Sequence, residues 1–328
     1  MQTVLDHKLL VITGKGGVGK TTIAAATGLL AAQGGRRVIV VEVGQEERLP
    51  ALFGITPSKP GVETQLQEGL WSISIDPDRA LLEWLQALGG RVSGRVLASS
   101  GTFQYFTAAA PGAKELIAMV KIWRLTRGAD RGRRAQGYDL VVLDAPATGH
   151  ALGMLRSPQT FGAIARVGPI AGQTREVQQL LETPSHTAYV AVALPTEMAV
   201  TEVLEIQEGL HRQLGRELSA VVVNALLPRR FTTQEMGQIE SLAQVTSTAA
   251  NIQESAAVVP ADLAGRQTVT QAAIGAARAI HDRSRFQHNQ LARLRRRNLD
   301  VIGIPFVWDA QLDLAAVSDI AKRLERAL

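Results

Sequence analysis

Cysteine is absent from this sequence of 328 residues. Without a thiol the chain cannot form a disulfide, a zinc–thiolate centre or an iron–sulfur cluster. Methionine is also scarce. Because methionine side chains adapt to varied apolar partners, only five of them argue against a methionine-rich surface for binding such partners.

Long apolar runs are missing as well. No run reaches the eighteen or so residues that a membrane-spanning helix needs, and the first predicted strand begins close to the N-terminus without a signal peptide. We therefore expect a cytoplasmic protein, with peripheral membrane contact left open. A chain that is 46% hydrophobic and 20% charged can bury a large core.

Apolar runs alternate with helical patterns along the chain, which predicts an α/β fold: a doubly wound, mostly parallel sheet with helices on both faces. Two stretches, at about 77–136 and 225–298, interrupt this alternation and are mostly helical in pattern. We predict one domain over residues 1–328 with these two helical insertions. The candidate strands are Leu9–Thr13, Val38–Val43, Trp71–Ile75, Leu140–Leu143, Ala188–Ala193, Ala220–Asn224 and Val301–Ile304.

A glycine-rich loop follows the first predicted strand. Its glycines lack a Cβ, so backbone N–H groups can converge on phosphate oxygens at the positive end of the next helix. Lys20 completes the P-loop pattern and would reach the β- and γ-phosphates, and the Thr21 hydroxyl would ligate Mg²⁺. Thr22 is left for the α-phosphate. The predicted nucleotide-binding residues are Gly14, Lys15, Gly16, Gly17, Val18, Gly19, Lys20, Thr21 and Thr22.

Lys15 is unusual, because an ordinary P-loop has no need of a lysine directly after its first glycine. The stretch 14–22 resembles the deviant Walker A motif of the SIMIBI class of nucleotide hydrolases. In that class the extra lysine crosses a dimer interface and touches the partner's nucleotide. The resemblance thus implies a homodimer that is gated by nucleotide, with Lys15 acting in trans on phosphate charge.

A second motif follows the predicted strand at Leu140–Leu143. Asp144, at the end of this apolar run, is typical of a Walker B carboxylate that holds Mg²⁺. Residues 144–152 resemble the switch II sequence D-T-A-P-T-G-H-T-L of the arsenite-pump and tail-anchored-protein-targeting ATPases, the ArsA-like family. By that resemblance Gly149 supplies an N–H near the γ-phosphate. For His150 a packed or capping role is favoured.

Other matches extend this resemblance over most of the chain. Residues 111–116 are similar to P-G-x-D-E-A, and Thr201-Glu202 to part of an E-T-E helix start. Residues 221–227 resemble V-V-N-Q-L-L, which implies that Asn224 reads adenine, although it could instead only cap its strand. An amide suits adenine better than guanine, so ATP is expected. Pro305 falls in the family's loop that packs on adenine.

Switch I departs from the family pattern. A gap-free match of residues 42–53 to S-T-D-P-A-H-N-L-S-D-A-F puts Gly44 where the family has the Asp that positions the attacking water. Glycine can neither orient water nor accept its proton, and such a loss typically costs about 10²–10⁴ in rate. Hydrolysis is therefore expected to be slow, unless a neighbouring side chain substitutes. The candidates are Glu42, Gln45, Glu47 and, as the favoured catalytic substitute, Glu46.

The resemblance implies an ATP- and Mg²⁺-dependent ATPase that couples its nucleotide state to a protein client or a membrane protein partner. Without cysteine, the thiolate arsenite site and the zinc clamp of some relatives are excluded. Two alternatives stay open: a partition-type ATPase that binds DNA, and a scaffold that binds ATP without hydrolysis.

The net charge is +5. Much of the excess lies in two clusters, Arg124, Arg127, Arg131, Arg133 and Arg134, and Arg293, Arg295, Arg296 and Arg297. Solvated surfaces are favoured for both clusters over contact with anionic nucleic acid or a membrane surface.

Two apolar features allow either packing or partner binding. The C-terminal helix predicted at Leu312–Leu328 is amphipathic, and packing onto the sheet is favoured over a partner or a membrane. The first insertion is rich in apolar residues, for which a core-facing helix is favoured over a client groove. These residues are Leu97, Phe103, Tyr105, Phe106, Leu116, Ile117, Met119, Val120, Ile122 and Trp123.

Overall fold

The computed structural model of the protein describes residues 4–45, 47–81, 83, 112–127, 137–164, 169–242, 261–309 and 311–326. Its centre is an eight-stranded sheet in the order β3-β4-β2-β5-β1-β6-β7-β8. Every neighbouring pair is parallel except β3 and β4, which are antiparallel. The strands are β1 (Leu9–Thr13), β2 (Val38–Val43), β3 (Thr64–Gln67), β4 (Leu70–Ile75), β5 (Leu140–Asp144), β6 (Thr187–Ala193), β7 (Ala220–Leu226) and β8 (Val301–Pro305).

Helices connect the parallel strands and cover the sheet. Residues 233–242 are also helical, and a 3₁₀ turn at Val4–Asp6 precedes the first strand. The helices are α1 (Lys20–Gln33), α2 (Leu49–Leu52), α3 (Ala113–Arg127), α4 (Thr148–Ile164), α5 (Pro169–Glu182), α6 (Glu197–Leu214), α7 (Ala261–Arg295) and α8 (Leu314–Glu325). Within the described ranges, none of them combines the length and the apolar character needed to cross a bilayer.

The α/β fold with a mostly parallel sheet is confirmed, and so are all seven predicted strands. The sequence prediction missed β3, a four-residue edge strand in which polar side chains outnumber apolar ones. Only its alternate residues Thr64 and Leu66 are buried. So short an alternation gives almost no periodic signal, and the pairing with β4 depends on the hairpin between them.

Two hydrophobic clusters fill the two faces of the sheet. Because successive side chains of a strand point to opposite faces, Leu9 and Val11 of β1 join one cluster while Leu10 and Ile12 join the other. The second cluster includes the buried face of α8, which packs against α1. Asp313 begins α8 by accepting a hydrogen bond from the Ala316 N–H. The favoured interpretation of the C-terminal helix, packing within the fold, is confirmed.

The described residues of the two predicted insertions are mostly helical. In the first insertion, Leu116, Ile117, Met119, Val120 and Ile122 of α3 are buried in the core. This confirms the core-facing interpretation for these five residues. Leu97, Phe103, Tyr105 and Phe106 lie outside the described residues, as do Arg131, Arg133 and Arg134. In the second insertion, α7 contacts α6, β7 and β8.

Candidate nucleotide site

The P-loop lies at the carboxyl end of β1, where the chain's connections diverge: β5 flanks β1 on one side and β6 on the other. Parallel sheets bind ligands at such switch points. Gly14 has φ +143°, and a Cβ there would lie 2.2 Å from the Val192 carbonyl oxygen of β6. Since that atom is backbone, it cannot move aside. The close approach of β6 therefore requires glycine at position 14.

The other end of the loop is held by β7. Gly19 caps α1 with φ +94°, and a Cβ there would lie 2.4 Å from the Asn224 Nδ2. That amide donates to the Val18 carbonyl at 3.0 Å, and its Oδ1 accepts from the Ala225 N–H at 2.9 Å. Asn224 thus fastens the P-loop to the end of β7, and it also supports Ala225 at φ +60°.

The adenine role of Asn224 stays a prediction. Its amide retains one further N–H and one further lone pair. Pro305, the second residue predicted at the base, ends β8 beside Leu226 of β7. The next residue, Phe306, donates its N–H to the Leu226 carbonyl at 2.8 Å, and its ring contacts Trp308 with centroids 4.8 Å apart. The carboxyl ends of β7 and β8 therefore lie side by side.

Lys20 is the first residue of α1, and its ammonium folds back over the loop. Its Nζ donates to the Lys15 carbonyl at 2.9 Å. Burial lowers the pKa of Lys20, and the negative charge of Asp144 opposes that effect. The contact with the Lys15 carbonyl holds the ammonium against the loop, and Lys20 lines the nucleotide cavity.

Thr21 and Asp144 meet beneath the P-loop, as the sequence predicts for a magnesium site. The Thr21 hydroxyl donates to Asp144 Oδ2 at 2.6 Å. The other oxygen of Asp144, Oδ1, is buried and has no hydrogen-bond partner among the described residues. Burial raises the pKa of Asp144, although the Thr21 hydrogen bond and the Lys20 charge act against this. A carboxylate with one unsatisfied oxygen beside a hydroxyl fits Mg²⁺, which prefers hard oxygen ligands.

Switch II runs from Asp144 into α4. Ala145, Pro146 and Ala147 line the nucleotide cavity, and α4 begins at Thr148, whose buried hydroxyl has no partner among the described residues. Gly149 lies in the first turn of α4, with open space around it. His150 is exposed. Of the two roles favoured for His150, packing in the core is wrong, because the residue is exposed. The capping role stays a prediction.

Switch I forms the opposite wall of this cavity, whose volume is about 860 Å³. Gly44 has φ +154°, and no heavy atom lies within 4 Å of the position a Cβ would take. Its N–H donates to the Ile75 carbonyl at 3.0 Å, and its carbonyl accepts from the Ser74 hydroxyl at 2.7 Å. Backbone conformation, and not lack of space, favours glycine here.

Glu42 lies at the base of the cavity and is only 6% exposed. In the β2–β5 pairing it stands directly beside Asp144. Its carboxylate accepts hydrogen bonds from the backbone N–H groups of Arg48 and Leu49, at 3.0 and 3.2 Å. Burial raises the pKa of Glu42 to about 7, with smaller contributions from the charges of Asp144 and Glu47.

Three other residues of switch I are candidates for the water-positioning role that Gly44 cannot fill: Gln45, Glu46 and Glu47. Glu47 accepts from the Ser74 N–H at 3.0 Å and from the Ser58 N–H at 3.2 Å. Both of its oxygens therefore tie the loop to its neighbours. Gln45 lines the cavity. Glu46, the favoured candidate, lies outside the described residues.

Lys15 points away from its own P-loop cavity and toward α6. Its Nζ is 3.5 Å from Glu202 Oε1 and 2.7 Å from the Met198 sulfur. The Lys15 side chain is 40% exposed, and Glu202 Oε2 is buried without a partner among the described residues. The sequence prediction missed this ion pair. No signal for this contact is present in the sequence, because the match of Thr201-Glu202 to a family helix carries no information about Lys15.

Comparisons with known proteins identify the family of this chain. A family model described as anion-transporting ATPase matches residues 7–172. The chain is 32% identical over 272 residues to the ATPase BagA of Mycobacterium tuberculosis, covering 80% of this chain and 78% of that protein. It is 25% identical to the ATPase GET3 of Candida glabrata, covering 70% and 75% of the two chains. It is 27% identical to the arsenical pump-driving ATPase of Escherichia coli, covering 80% and 45%. This chain belongs to the ArsA family of anion-transporting ATPases, has their α/β P-loop fold, and is an ATPase.

Proposed function

We propose that this ATPase works as a Mg²⁺-dependent homodimeric switch, in which the nucleotide state controls binding of a protein client or a membrane partner. The observation that carries the proposal is the Thr21–Asp144 pair, whose unsatisfied Asp144 Oδ1 lies at the start of switch II. Switch II leads from Asp144 into α4. A change in the contacts of Asp144 when the γ-phosphate is lost can therefore move this helix. The proposed location is the cytoplasm.

Within this proposal, Thr21 and Asp144 hold Mg²⁺, which would neutralise charge on the β- and γ-phosphates. Lys20 adds positive charge on the same phosphates, and the backbone N–H groups of the P-loop orient them. Asn224 and Pro305 recognise adenine. Gly149 offers an N–H at the first turn of α4, so release of phosphate alters a contact at the beginning of that helix.

The client is not bound through metal–thiolate chemistry, since the sequence contains no cysteine. Among the described residues, no group of three or more histidine, aspartate and glutamate side chains is arranged to hold a metal ion. Surface contacts are the mode of client recognition that we propose. Its affinity should differ between the ATP and ADP states, because only a differential affinity can couple binding to nucleotide.

The turnover of the wild-type protein, measured as phosphate release with and without Mg²⁺, tests the proposal directly. Lys20→Ala is the control, because it removes the β/γ-phosphate charge partner while leaving the sheet intact. We expect Mg²⁺-dependent turnover that falls at least about tenfold in Lys20→Ala. Rates independent of Mg²⁺ would exclude the proposed magnesium site, and equal rates in the two proteins would exclude the proposed role of Lys20.

Slow hydrolysis is the second part of the proposal, and it rests on Gly44. Gly44→Asp restores a carboxylate in switch I, and Gly44→Ala is its matched control, because both carry the same strain at φ +154°. We expect Gly44→Asp to hydrolyse ATP faster than Gly44→Ala. If the two variants are equally slow and Glu46→Ala is inactive, then Glu46 performs the role and position 44 does not limit the rate.

A further inference from the structure

A second cavity, of about 420 Å³, lies beyond the carboxyl end of β7. It is formed between the loop that follows β7 and one face of α7. Its lining includes three arginines and two histidines: Arg229 and Arg230 from the loop, and His281, Arg285 and His288 from the helix. The helical positions are spaced by three or four residues and so share one face. We call this the arginine cavity.

The loop is fastened to α7 by buried polar contacts, so the arginine cavity is formed before any ligand arrives. The Leu227 N–H donates to Gln287 Oε1 at 2.8 Å, and the Ser284 hydroxyl approaches the Leu227 carbonyl at 3.4 Å. Both helical side chains are nearly inaccessible, with Ser284 3% and Gln287 6% exposed. Pre-organised walls lower the entropic cost of binding.

The three guanidinium groups of this cavity are not neutralised locally. Arg229, Arg230 and Arg285 form no ion pair or hydrogen bond among the residues that the structure describes, whereas Arg278 of the same helix pairs with Glu240 at 2.8 Å. The Nδ1 of His288 lies 2.7 Å from the Ser284 carbonyl, which fixes the orientation of that ring.

Two carboxylates oppose this positive charge. Glu235 lines the cavity, but it accepts from the Thr232 N–H at 2.7 Å and from the Thr232 hydroxyl at 2.8 Å, which caps the helix at 233–242. Those hydrogen bonds lower the pKa of Glu235, so it stays ionised. Asp282 lies 3.4 Å from the His281 ring but does not line the cavity. Three guanidinium groups against one lining carboxylate leave an excess of positive charge.

We propose that the arginine cavity binds a phosphate group that belongs to a ligand other than the P-loop nucleotide. Guanidinium groups match phosphate oxygens through paired, charge-assisted hydrogen bonds, and several of them converging on one cavity favour a phosphate over a monovalent anion. The cavity shares no lining residue with the nucleotide cavity. Its volume holds a phosphate together with part of the molecule that carries it.

Pyrophosphate is the soluble probe for this site, used on full-length protein whose P-loop is saturated with ADP and Mg²⁺. Hydrogen–deuterium exchange read by mass spectrometry locates the bound probe. We expect pyrophosphate to slow exchange in residues 227–235 and 281–289, beyond any change in residues 14–22. Calorimetry under the same conditions gives the affinity.

The variant Arg229→Ala/Arg230→Ala/Arg285→Ala should bind the probe about tenfold or more weakly. Its charge-matched control, Arg283→Ala/Arg296→Ala/Arg297→Ala, removes three exposed arginines outside the cavity and should bind within about twofold of the wild type. ATP turnover at the wild-type rate verifies that both variants are folded. An equal loss in the two variants would mean attraction by net charge alone and would overturn the proposal.

A second arm distinguishes a soluble ligand from a lipid headgroup. Flotation compares vesicles of phosphatidylcholine with vesicles of phosphatidylcholine and phosphatidic acid at 4:1. Binding to the acidic vesicles that is lost in the cavity variant but kept in the control assigns a headgroup, and binding of pyrophosphate without vesicle binding assigns a soluble phosphate. If neither probe binds in a way that depends on the three cavity arginines, the proposal is wrong.

Discussion

The two oxygens of Asp144 have different surroundings. One holds the Thr21 hydroxyl, and the other is the oxygen that we propose contacts Mg²⁺. Oδ2 accepts the Thr21 hydroxyl, whereas Oδ1 is buried and unsatisfied. Leaving a buried polar atom without a partner costs free energy of about 1–3 kcal/mol. A cation bound with nucleotide would give this oxygen a partner and relieve that cost.

Asp144→Asn should therefore abolish Mg²⁺-dependent turnover while leaving the fold intact. The amide can still accept the Thr21 hydroxyl, but it lacks the charge that Mg²⁺ requires. We expect a fall in kcat of about 10²–10³, and little change in the melting temperature. Asp139→Asn is the control, since Asp139 precedes the same strand at its opposite end, where it accepts the Arg37 N–H. A full rate in Asp144→Asn would exclude its role in holding Mg²⁺.

Glu42 couples the stability of this protein to pH. In the native state its pKa is raised to about 7 from an ordinary value of 4.5. Between these two pH values the native protein retains a proton that the unfolded chain has released. Stability therefore decreases as pH rises from about 4.5 to 7, and this contribution is constant above pH 7.

Replacing Glu42 by Gln should remove that pH dependence. Gln still offers an oxygen to the Arg48 and Leu49 N–H groups but has no charge to desolvate. At pH 8 we expect the free energy of unfolding of Glu42→Gln to exceed that of the wild type by on the order of 1–3 kcal/mol, and at pH 4.5 to match it. Chemical denaturation at both pH values measures this. An identical difference at the two pH values would contradict the assignment.

At the level of elements, the P-loop is held by two strands that lie far from it in sequence. β6 contacts Gly14 through the Val192 carbonyl, and β7 contacts the loop through Asn224. At Gly16, by contrast, an added Cβ would have no heavy atom within 4 Å. Within the P-loop motif, Gly14 is therefore constrained by a neighbouring strand and Gly16 is not. The sequence pattern alone does not show this difference.

The apo stabilities of Gly14→Ala and Gly16→Ala should consequently differ. Alanine at position 14 meets both an unfavourable φ and a backbone atom that cannot retreat, so we expect a loss of about 1–3 kcal/mol in the free energy of unfolding. Gly16→Ala should lie within about 0.5 kcal/mol of the wild type. Urea denaturation without nucleotide measures both. Equal losses would show that the β6 contact does not constrain the loop.

These elements also show what could be predicted from the sequence. The strands and the Thr21–Asp144 pair were predictable, because apolar runs and a motif of fixed spacing carry them. The edge strand β3 was missed, because a strand of only four residues gives a weak local signal. The contact of Lys15 with Met198 was not predictable at all, since 183 positions in sequence separate the two residues.

For the molecule as a whole, the position of Lys15 bears on how two copies would meet. In one chain its ammonium is paired with Glu202 of the same chain. If Lys15 acts on a partner's nucleotide, that ion pair must break when the dimer closes. Both side chains are partly exposed, and such pairs contribute only about 0–1 kcal/mol. The ion pair therefore opposes closure weakly, and phosphate charge can easily exceed it.

Lys15→Ala and Glu202→Gln should accordingly shift ATP-dependent dimerisation in opposite directions. We expect Lys15→Ala to weaken the dimer about tenfold or more, because a charge-assisted contact with phosphate is lost. Glu202→Gln should strengthen it by up to about fivefold, because Lys15 is no longer held within its own chain. Sedimentation velocity with a non-hydrolysable ATP analogue measures the dissociation constants. Glu205→Gln, an exposed change on the same helix, is the control for altered net charge. If Glu202→Gln weakens the dimer while Glu205→Gln does not, then Glu202 supports the closed dimer directly, and the ion pair with Lys15 is not its competitor.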